Sequence, residues 1–154
     1  MPIIVLTNGM ETTVSREDFN RVSSKTWHYD HGYAVHTTRR NGKPYKIYLH
    51  DLILPPPSGY EVDHKDTNKL NNRRSNLRLA TKSQNKMNTG PRSNNRSGYR
   101  GVSWDDHTGK WRARVRVGDK DISLGRFPSR SAAKKAYEKA ARELHGEFYR
   151  REKC

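Results

Sequence analysis

Residues 62–85 read VDHKDTNKLNNRRSNLRLATKSQN, and this stretch decides how the centre of the chain folds. The pattern predicts a strand that ends at Asp63 and His64, a polar loop, and a second strand over residues 76–80. A short helix is predicted next, and it carries Asn85. These elements, in this order, would bring the side chains of Asp63, His64 and Asn85 together in a ββα hairpin.

The apolar skeleton between positions 58 and 89 is too thin to build an ordinary core, and it consists mainly of Val62, Leu70, Leu77 and Leu79. The polar side chains of the segment must therefore do something other than pack. Catalysis is one interpretation. The alternative is a polar turn region without catalysis, because Asn and Asp are common turn formers.

The same stretch closely resembles the HNH endonuclease family, in particular its phage and intron-encoded homing branch. Members of this family end the first strand in Asp-His, begin the second strand with a central Asn, and place a third motif residue on the helix. The matching residues here are Asp63 and His64, then Asn76 twelve residues after His64, and Asn85 nine residues further on. The phrases SNLR and ATxSxN within residues 75–85 are typical of the branch.

The resemblance implies a role for each motif residue. His64 would be the general base, because the ordinary imidazole pKa of about 6.5 suits proton transfer near neutral pH. Asp63 and the side-chain oxygen of Asn85 would hold one divalent ion, Mg²⁺ or Mn²⁺ rather than zinc. Asn76 would tie the hairpin and hold His64 in position. His50, predicted in the strand that leads into the motif, is a candidate for either a supporting or a structural role.

Composition favours a nucleic-acid partner. The chain has 154 residues, of which 31% are hydrophobic and 31% charged, and its net charge is +15. Residues 90–154 hold much of the excess, with 17 basic against 8 acidic residues. Such charge attracts nucleic acid or an anionic membrane, but no apolar span, signal peptide or lipidation motif supports a membrane protein. We expect double-stranded DNA as the partner and a cytoplasmic location, with no internal disulfide because Cys154 is the single cysteine.

Residues 1–54 predict a β-rich scaffold. Asn41 and Gly42 are a strong signal for a hairpin turn, and Ser15 is placed to cap a short helix over residues 16–22. Strands are predicted at residues 3–7, 33–38 and 45–49.

The C-terminal part begins with a basic linker at residues 90–97, followed by a module of three strands and a helix at residues 98–149. The strand at residues 111–117 alternates strictly between two faces. One face is apolar or small and the other is basic, with Arg112, Arg114 and Arg116 in a row. We expect this row to bind DNA, because arginine pairs with guanine edges or phosphate, and the alternative is a basic, solvated strand face. A helix with an alanine-rich face follows, with Ser129 or Ser131 as its N-cap and Gly146 at its end.

This module resembles the Apetala-type domain of plant ethylene-response factors, which packs a three-stranded sheet on one helix and inserts the sheet into the DNA major groove. The residues that carry the likeness are Gly98–Val102, Gly109–Ala113, Leu124–Phe127 and the alanine-rich helix. The resemblance assigns DNA contacts to Arg100, Gly101 and Arg116. Three departures, Ser103, Arg114 and Ser123, mean that the plant target sequence cannot be transferred.

Together these observations predict an α+β protein with a scaffold at 1–54, a metal-dependent HNH ββα motif at 55–89, a linker at 90–97 and a DNA-binding domain at 98–149. The predicted function is a site-directed endonuclease of the homing type, acting as a monomer that nicks one strand. The alternatives are a non-catalytic, sequence-specific DNA-binding regulator with a silent HNH fold, and an RNA-binding protein.

Overall fold

The structure, a computed structural model, describes residues 1–89 and 94–149. Four residues of the predicted linker, 90–93, and Cys154 lie outside the described residues. The contacts of the chain divide it into two units, Met1–Lys82 and Ser83–Cys154. Each unit has its own hydrophobic core.

The first unit contains eight short strands and two short helices. Their bounds are β1 (Ile3–Val5), β2 (Glu11–Val14), α1 (Arg16–Ser23), β3 (His28–Asp30), β4 (Tyr33–Arg40), β5 (Lys43–Tyr48), α2 (Leu49–Ile53), β6 (Tyr60–His64), β7 (Asn71–Asn72) and β8 (Leu77–Thr81).

These strands form three small sheets, with the orders β1-β2-β7, β3-β4-β5 and β6-β8. The predicted hairpin is confirmed as β4–β5, and its turn residues Asn41 and Gly42 have φ values of +52° and +75°. Both angles lie in the left-handed region that a two-residue hairpin turn requires. The strand predicted to end at Asp63 and His64 is confirmed as β6, which pairs antiparallel with β8.

One core serves both the N-terminal segment and the ββ hairpin. Val62 and Leu77 from the hairpin pack with residues from the N-terminal segment, among them Trp27, Leu49 and Ile53, each of which is 1% exposed or less. This shared core explains how residues 58–82 fold with so few apolar side chains. The apolar surface that they lack is supplied by the N-terminal segment.

A buried carboxylate links α1 to the loop before β8. Asp18 is 2% exposed, and both of its oxygens accept hydrogen bonds from Arg74, at 2.8 and 2.9 Å. Ser15 occupies the N-cap position of α1, but its hydroxyl accepts from the backbone N–H of Arg74 instead of capping the helix. The predicted N-cap position of Ser15 is therefore confirmed, but its hydroxyl makes no capping hydrogen bond, because a residue distant in sequence competes for the same oxygen.

Four elements of the first unit were not predicted, namely β2, β3, β7 and α2. The last of these corrects the position of His50, which lies in the helix α2 and not in a strand. Each element spans five residues or fewer. That is too short for a period of 2.0 or 3.6 residues to emerge from the sequence.

The second unit is built on a three-stranded antiparallel sheet. A short helix, α3 (Lys82–Met87), begins at the boundary between the units, and the remaining elements are β9 (Val102–Asp105), β10 (Lys110–Val117), β11 (Lys120–Phe127), α4 (Arg130–His145) and a 3₁₀ turn (Gly146–Phe148). Strand β10 is central, and its Ala113 and Val115 are fully buried against α4. Ser129 caps α4 by accepting a hydrogen bond from Ala132 N at 3.1 Å.

The predicted α+β class is confirmed, including a C-terminal three-stranded sheet packed on one helix. Within the part of the chain that the structure describes, helices long and apolar enough to span a bilayer are absent.

Among the described glycines of the second unit, Gly101 has the closest neighbouring atoms. Its φ is +68°, and a Cβ atom there would lie 2.3 Å from the carbonyl oxygen of Arg114 and 2.4 Å from the ring of Tyr137. Gly118 has a similar φ of +60°, but a Cβ atom there would have nothing within 4 Å. The two positions therefore share the backbone strain and differ only in the steric clash.

We expect Gly101→Ala to destabilise the second unit by about 1–3 kcal/mol more than Gly118→Ala does, because overpacking adds to the strain that both variants share. Thermal unfolding followed by circular dichroism measures the difference. Equal stability of the two variants would show that β10 and α4 move apart to accept the added methyl group without a loss of folding free energy.

Candidate active site

Asp63 and His64 are the last two residues of β6, and both side chains are buried, with 5% exposure each. Their partners across the hairpin are Arg78 and Leu77. Arg78 binds the Asp63 carboxylate through two nitrogens, Nε at 2.8 Å and Nη2 at 2.7 Å from Oδ2. This buried ion pair orients the carboxylate. Sequence analysis did not single out Arg78, although it lies directly opposite Asp63 in the predicted hairpin.

The imidazole of His64 lies among polar and aromatic groups. Its Nε2 is 3.0 Å from Asn72 Oδ1, and its ring centroid is 5.2 Å from that of His50 in an edge-on arrangement. Burial lowers the pKa of His64, and this effect exceeds the opposing influence of the Asn72 hydrogen bond and of Asp66 and Asp63. His64 is therefore a neutral imidazole near pH 7, which is the form that accepts a proton.

His50 packs between Tyr33 and Tyr48, at ring distances of 5.2 and 5.4 Å. Burial lowers its pKa to about 3, with smaller contributions from the nearby His64 and Lys69. Its Nε2 lies 3.3 Å from Asp51 Oδ1. We interpret this contact as a close approach of a neutral ring to the carboxylate and not as an ion pair, because the low pKa keeps His50 uncharged.

Asn76 organises the loop between β6 and β8. Its Oδ1 accepts from the backbone N–H of Asp66 at 3.1 Å, and its Nδ2 donates to Asp66 Oδ1 at 2.9 Å and to the carbonyl oxygen of Asn71 at 2.8 Å. Burial raises the pKa of the Asp66 carboxyl, but hydrogen bonds from Asn71, Asn68 and Asn76 outweigh this effect and hold the pKa below its usual value. Asp66 is thus an anchor of the loop.

Two side chains that sequence analysis did not single out complete the surroundings of His64. Asn72 is fully buried and bonds to His64 Nε2. Lys69 is exposed and places its ammonium 4.1 Å from the centroid of the Tyr33 ring, which is itself 6.4 Å from the His64 ring. The repeated Asn71-Asn72 pair was the available signal, and it was obscured by the general richness of the segment in Asn.

The predicted metal ligands are Asp63 and Asn85. Asn85 lies on α3, beyond the boundary of the first unit, and its role as a ligand stays a prediction. Among residues 1–89 and 94–149, clusters of three or more His, Cys, Asp or Glu side chains suited to a metal are absent. One carboxylate and one amide oxygen nevertheless fit a hard ion such as Mg²⁺, which is commonly held by one or two carboxylates with water and phosphate.

The three arginines of β10 share the face of the sheet that points away from the core. Arg114 and Arg116 are 52% and 65% exposed, and each lies within 4 Å of Asp121. Arg112 pairs in register with Ser103 of β9. Arg112 Nε and Ser103 Oγ are both buried, and neither has a hydrogen-bond partner among the described residues.

Arg100 and Gly101 precede β9. The guanidinium of Arg100 donates to three backbone carbonyls at the end of α3, those of Lys86 and Met87 at 2.6 Å and that of Thr89 at 2.7 Å. Arg100 therefore caps the C-terminus of α3, the helix that carries Asn85. Its predicted contact with DNA, like that of Gly101, stays a prediction.

Comparison with known proteins identifies two domains. A family model described as an HNH endonuclease matches residues 55–87, and one described as an AP2 domain matches residues 97–147. Protein 3.8 of Escherichia phage T7 is 38% identical over 96 residues, which are 62% of this chain and 78% of that protein. An uncharacterized HNH endonuclease of Acanthamoeba polyphaga mimivirus is 38% identical over 103 residues, 66% of this chain but only 52% of the relative. No solved structure matches the chain.

The neutral His50 makes the stability of the first unit dependent on pH. The pKa of His50 is about 3 in the folded protein and about 6.5 in an unfolded chain. Between these values the unfolded chain binds a proton that the folded protein excludes, so stability decreases as pH falls below about 6.5.

We expect His50 alone to remove about 2 kcal/mol of stability between pH 7 and pH 5, and we expect His50→Phe to lose this component of the pH dependence. Urea unfolding at the two pH values measures it, and His107→Gln, at an exposed histidine, is the control. An unchanged pH dependence in His50→Phe would contradict the low pKa.

Proposed function

Because the chain belongs to the family of HNH endonucleases that carry an AP2 domain, we propose that it is a site-directed DNA endonuclease of the homing type. It would hydrolyse a phosphodiester of double-stranded DNA and leave a 5′-phosphate and a 3′-hydroxyl. The observation that carries this proposal is the buried pair at the end of β6, a neutral His64 beside the oriented carboxylate of Asp63. We place its action in the cytosol of a bacterium or of a phage-infected cell.

We assign the role of general base to His64. A buried imidazole with a lowered pKa remains unprotonated at neutral pH, and it takes the proton from the attacking water. Asn76 acts indirectly, because its hydrogen bonds to Asp66 and Asn71 hold the loop that surrounds His64. His50 supports the ring of His64 by edge-on packing.

Asp63 and Asn85 would hold one divalent ion, Mg²⁺ or Mn²⁺. When bound, the ion supplies Lewis acidity at the scissile phosphate and stabilises the leaving 3′ oxygen. The ion pair with Arg78 limits the movement of the Asp63 carboxylate, so that this ligand needs little rearrangement.

DNA recognition belongs to the outer face of β10. Arg112, Arg114 and Arg116 present three guanidinium groups from one strand, and arginine pairs with phosphate or with guanine edges. The exposure of Arg114 and Arg116, at 52% and 65%, supports this role, because their guanidinium groups are accessible to a ligand.

We propose that the protein acts as a monomer and nicks one strand. A single HNH centre with one ion addresses one phosphodiester at a time. The high positive charge of the chain disfavours self-association in the absence of DNA.

His64→Ala should reduce cleavage of supercoiled plasmid by about 10²–10⁴-fold with little change in DNA affinity, because the base acts only in the chemical step. The wild type should convert the plasmid to open circles in the presence of Mg²⁺ and should leave it supercoiled in the presence of EDTA. His31→Ala is the control, because the side chain of His31 is 93% exposed. Normal cleavage by His64→Ala would overturn the assignment, and linear product from a single encounter would overturn nicking.

Changing Arg112, Arg114 and Arg116 together to Ala should weaken DNA binding and flatten its salt dependence. Each lost phosphate contact lowers the slope of log K against log salt by about 0.9. The charge-matched control replaces Lys135, Lys139 and Arg142, which are exposed on α4. Equal slopes for the two triple variants would show that β10 does not contact DNA.

A further inference from the structure

A buried chain of hydrogen bonds runs from β2 to the imidazole of His64. Thr12 Oγ1 lies 2.7 Å from the carbonyl oxygen of Leu70, Asn72 Nδ2 lies 2.8 Å from Thr12 Oγ1, and Asn72 Oδ1 lies 3.0 Å from His64 Nε2. Thr12 and Asn72 have no measurable exposure, and His64 is 5% exposed. Water therefore cannot easily replace any link, and each buried polar atom depends on its neighbour.

The direction of every link follows from the first one. The carbonyl oxygen of Leu70 only accepts, so the hydroxyl hydrogen of Thr12 points to it. The oxygen of Thr12 then accepts from Asn72, whose Nδ2 also lies 3.3 Å from the carbonyl oxygen of Lys69. Two acceptors on one side of the Asn72 amide place its nitrogen there and turn its oxygen towards His64.

This direction decides the tautomer of His64. Asn72 Oδ1 has no hydrogen to give, so His64 Nε2 must donate, and the neutral ring carries its lone pair on Nδ1. The opposite tautomer would set the lone pair of Nε2 against the oxygen of Asn72. It would replace a buried hydrogen bond by a repulsive contact.

The N-terminal segment supplies the first donor of the chain through strand pairing. Strand β2 pairs in parallel with β7, Thr13 with Asn71 and Val14 with Asn72, and this register places Thr12 beside Leu70 and Asn72. Residues 1–54 thus reach the candidate general base although they lie outside the matched HNH segment.

We propose that Thr12 and Asn72 are positioning residues, which hold His64 in the tautomer with hydrogen on Nε2 and the proton-accepting lone pair on Nδ1. The consequence for catalysis rests on the proposed role of His64 as general base. The tautomer itself is a property of the folded protein and can be measured without DNA, metal or turnover.

The first test is the ¹⁵N NMR spectrum of the imidazoles in the full-length wild type, recorded above the ordinary histidine pKa of about 6.5. Long-range ¹H–¹⁵N correlations distinguish the protonated nitrogen of a neutral ring from the unprotonated one, and His64→Gln assigns the signals. We expect hydrogen on Nε2. Hydrogen on Nδ1 would overturn the proposal without any further variant.

The second test uses three variants of neighbouring threonines. Thr12→Val keeps the shape and removes the hydroxyl, Thr12→Ser restores the hydroxyl, and Thr13→Val is the matched control because the Thr13 hydroxyl bonds to Asn71 outside the chain. We expect Thr12→Val to give a mixture of tautomers and to lower kcat by about 10–100-fold with KM for DNA unchanged. Thr12→Ser and Thr13→Val should resemble the wild type.

The outcomes separate this proposal from the nuclease assignment. A pure Nε2–H tautomer in Thr12→Val, with kcat unchanged, would overturn the positioning role. A wild type that shows the Nε2–H tautomer but cuts no DNA would contradict the nuclease function while supporting the hydrogen-bond assignment. If Thr12→Val fails to fold, the wild-type spectrum still decides the tautomer of His64. The comparison of Thr12→Ser with Thr12→Ala then decides whether the Thr12 hydroxyl positions His64.

Discussion

The parallel pairing of β2 with β7 is a contact of two residue pairs, yet the candidate active site depends on it. It places the hydroxyl of Thr12 within reach of Asn72, and Asn72 in turn contacts His64. The ion pair between Asp18 and Arg74 joins the same two parts of the chain nearby. Removing these links would weaken the attachment of the loop before β8 to the N-terminal segment, which supplies the apolar surface that the hairpin of β6 and β8 lacks.

The site is therefore stabilised mainly by polar groups that satisfy one another. Asp63 is paired with Arg78, and Asp66 accepts hydrogen bonds from three asparagines. Where such polar networks are buried, they are costly when incomplete and specific when complete, because each member restricts the orientation of the next. A catalytic histidine needs such restriction, since a wrong tautomer or rotamer removes the base without unfolding the protein.

The second unit is stabilised differently, because close apolar packing between β10 and α4 sets its geometry and its charged side chains lie on the surface. Gly101 allows the backbone of Arg114 and the ring of Tyr137 to approach closely, and the small residues of α4 let the helix lie against β10. The opposite face of β10 carries the row of arginines, of which Arg114 and Arg116 are exposed. The row of arginines thus lies in the second unit, and the polar network around the proposed general base lies in the first.

The sequence by itself determined the elements whose signals are local. The alternation at residues 111–117, the Asn41-Gly42 turn and the strand ending at Asp63 and His64 depend on periodicity or on φ angles that neighbouring residues set. Only the tertiary structure decided three side-chain contacts: Asn72 with His64, Arg78 with Asp63, and the Ser15 hydroxyl with the backbone N–H of Arg74. It also decided that His50 lies in a helix. The three contacts join residues that are far apart in sequence or lie across the hairpin. The helix α2, which contains His50, is too short to show a period in the sequence. The physical reason is that a buried polar group takes whichever partner the fold brings within about 3 Å, and no sequence spacing encodes that choice.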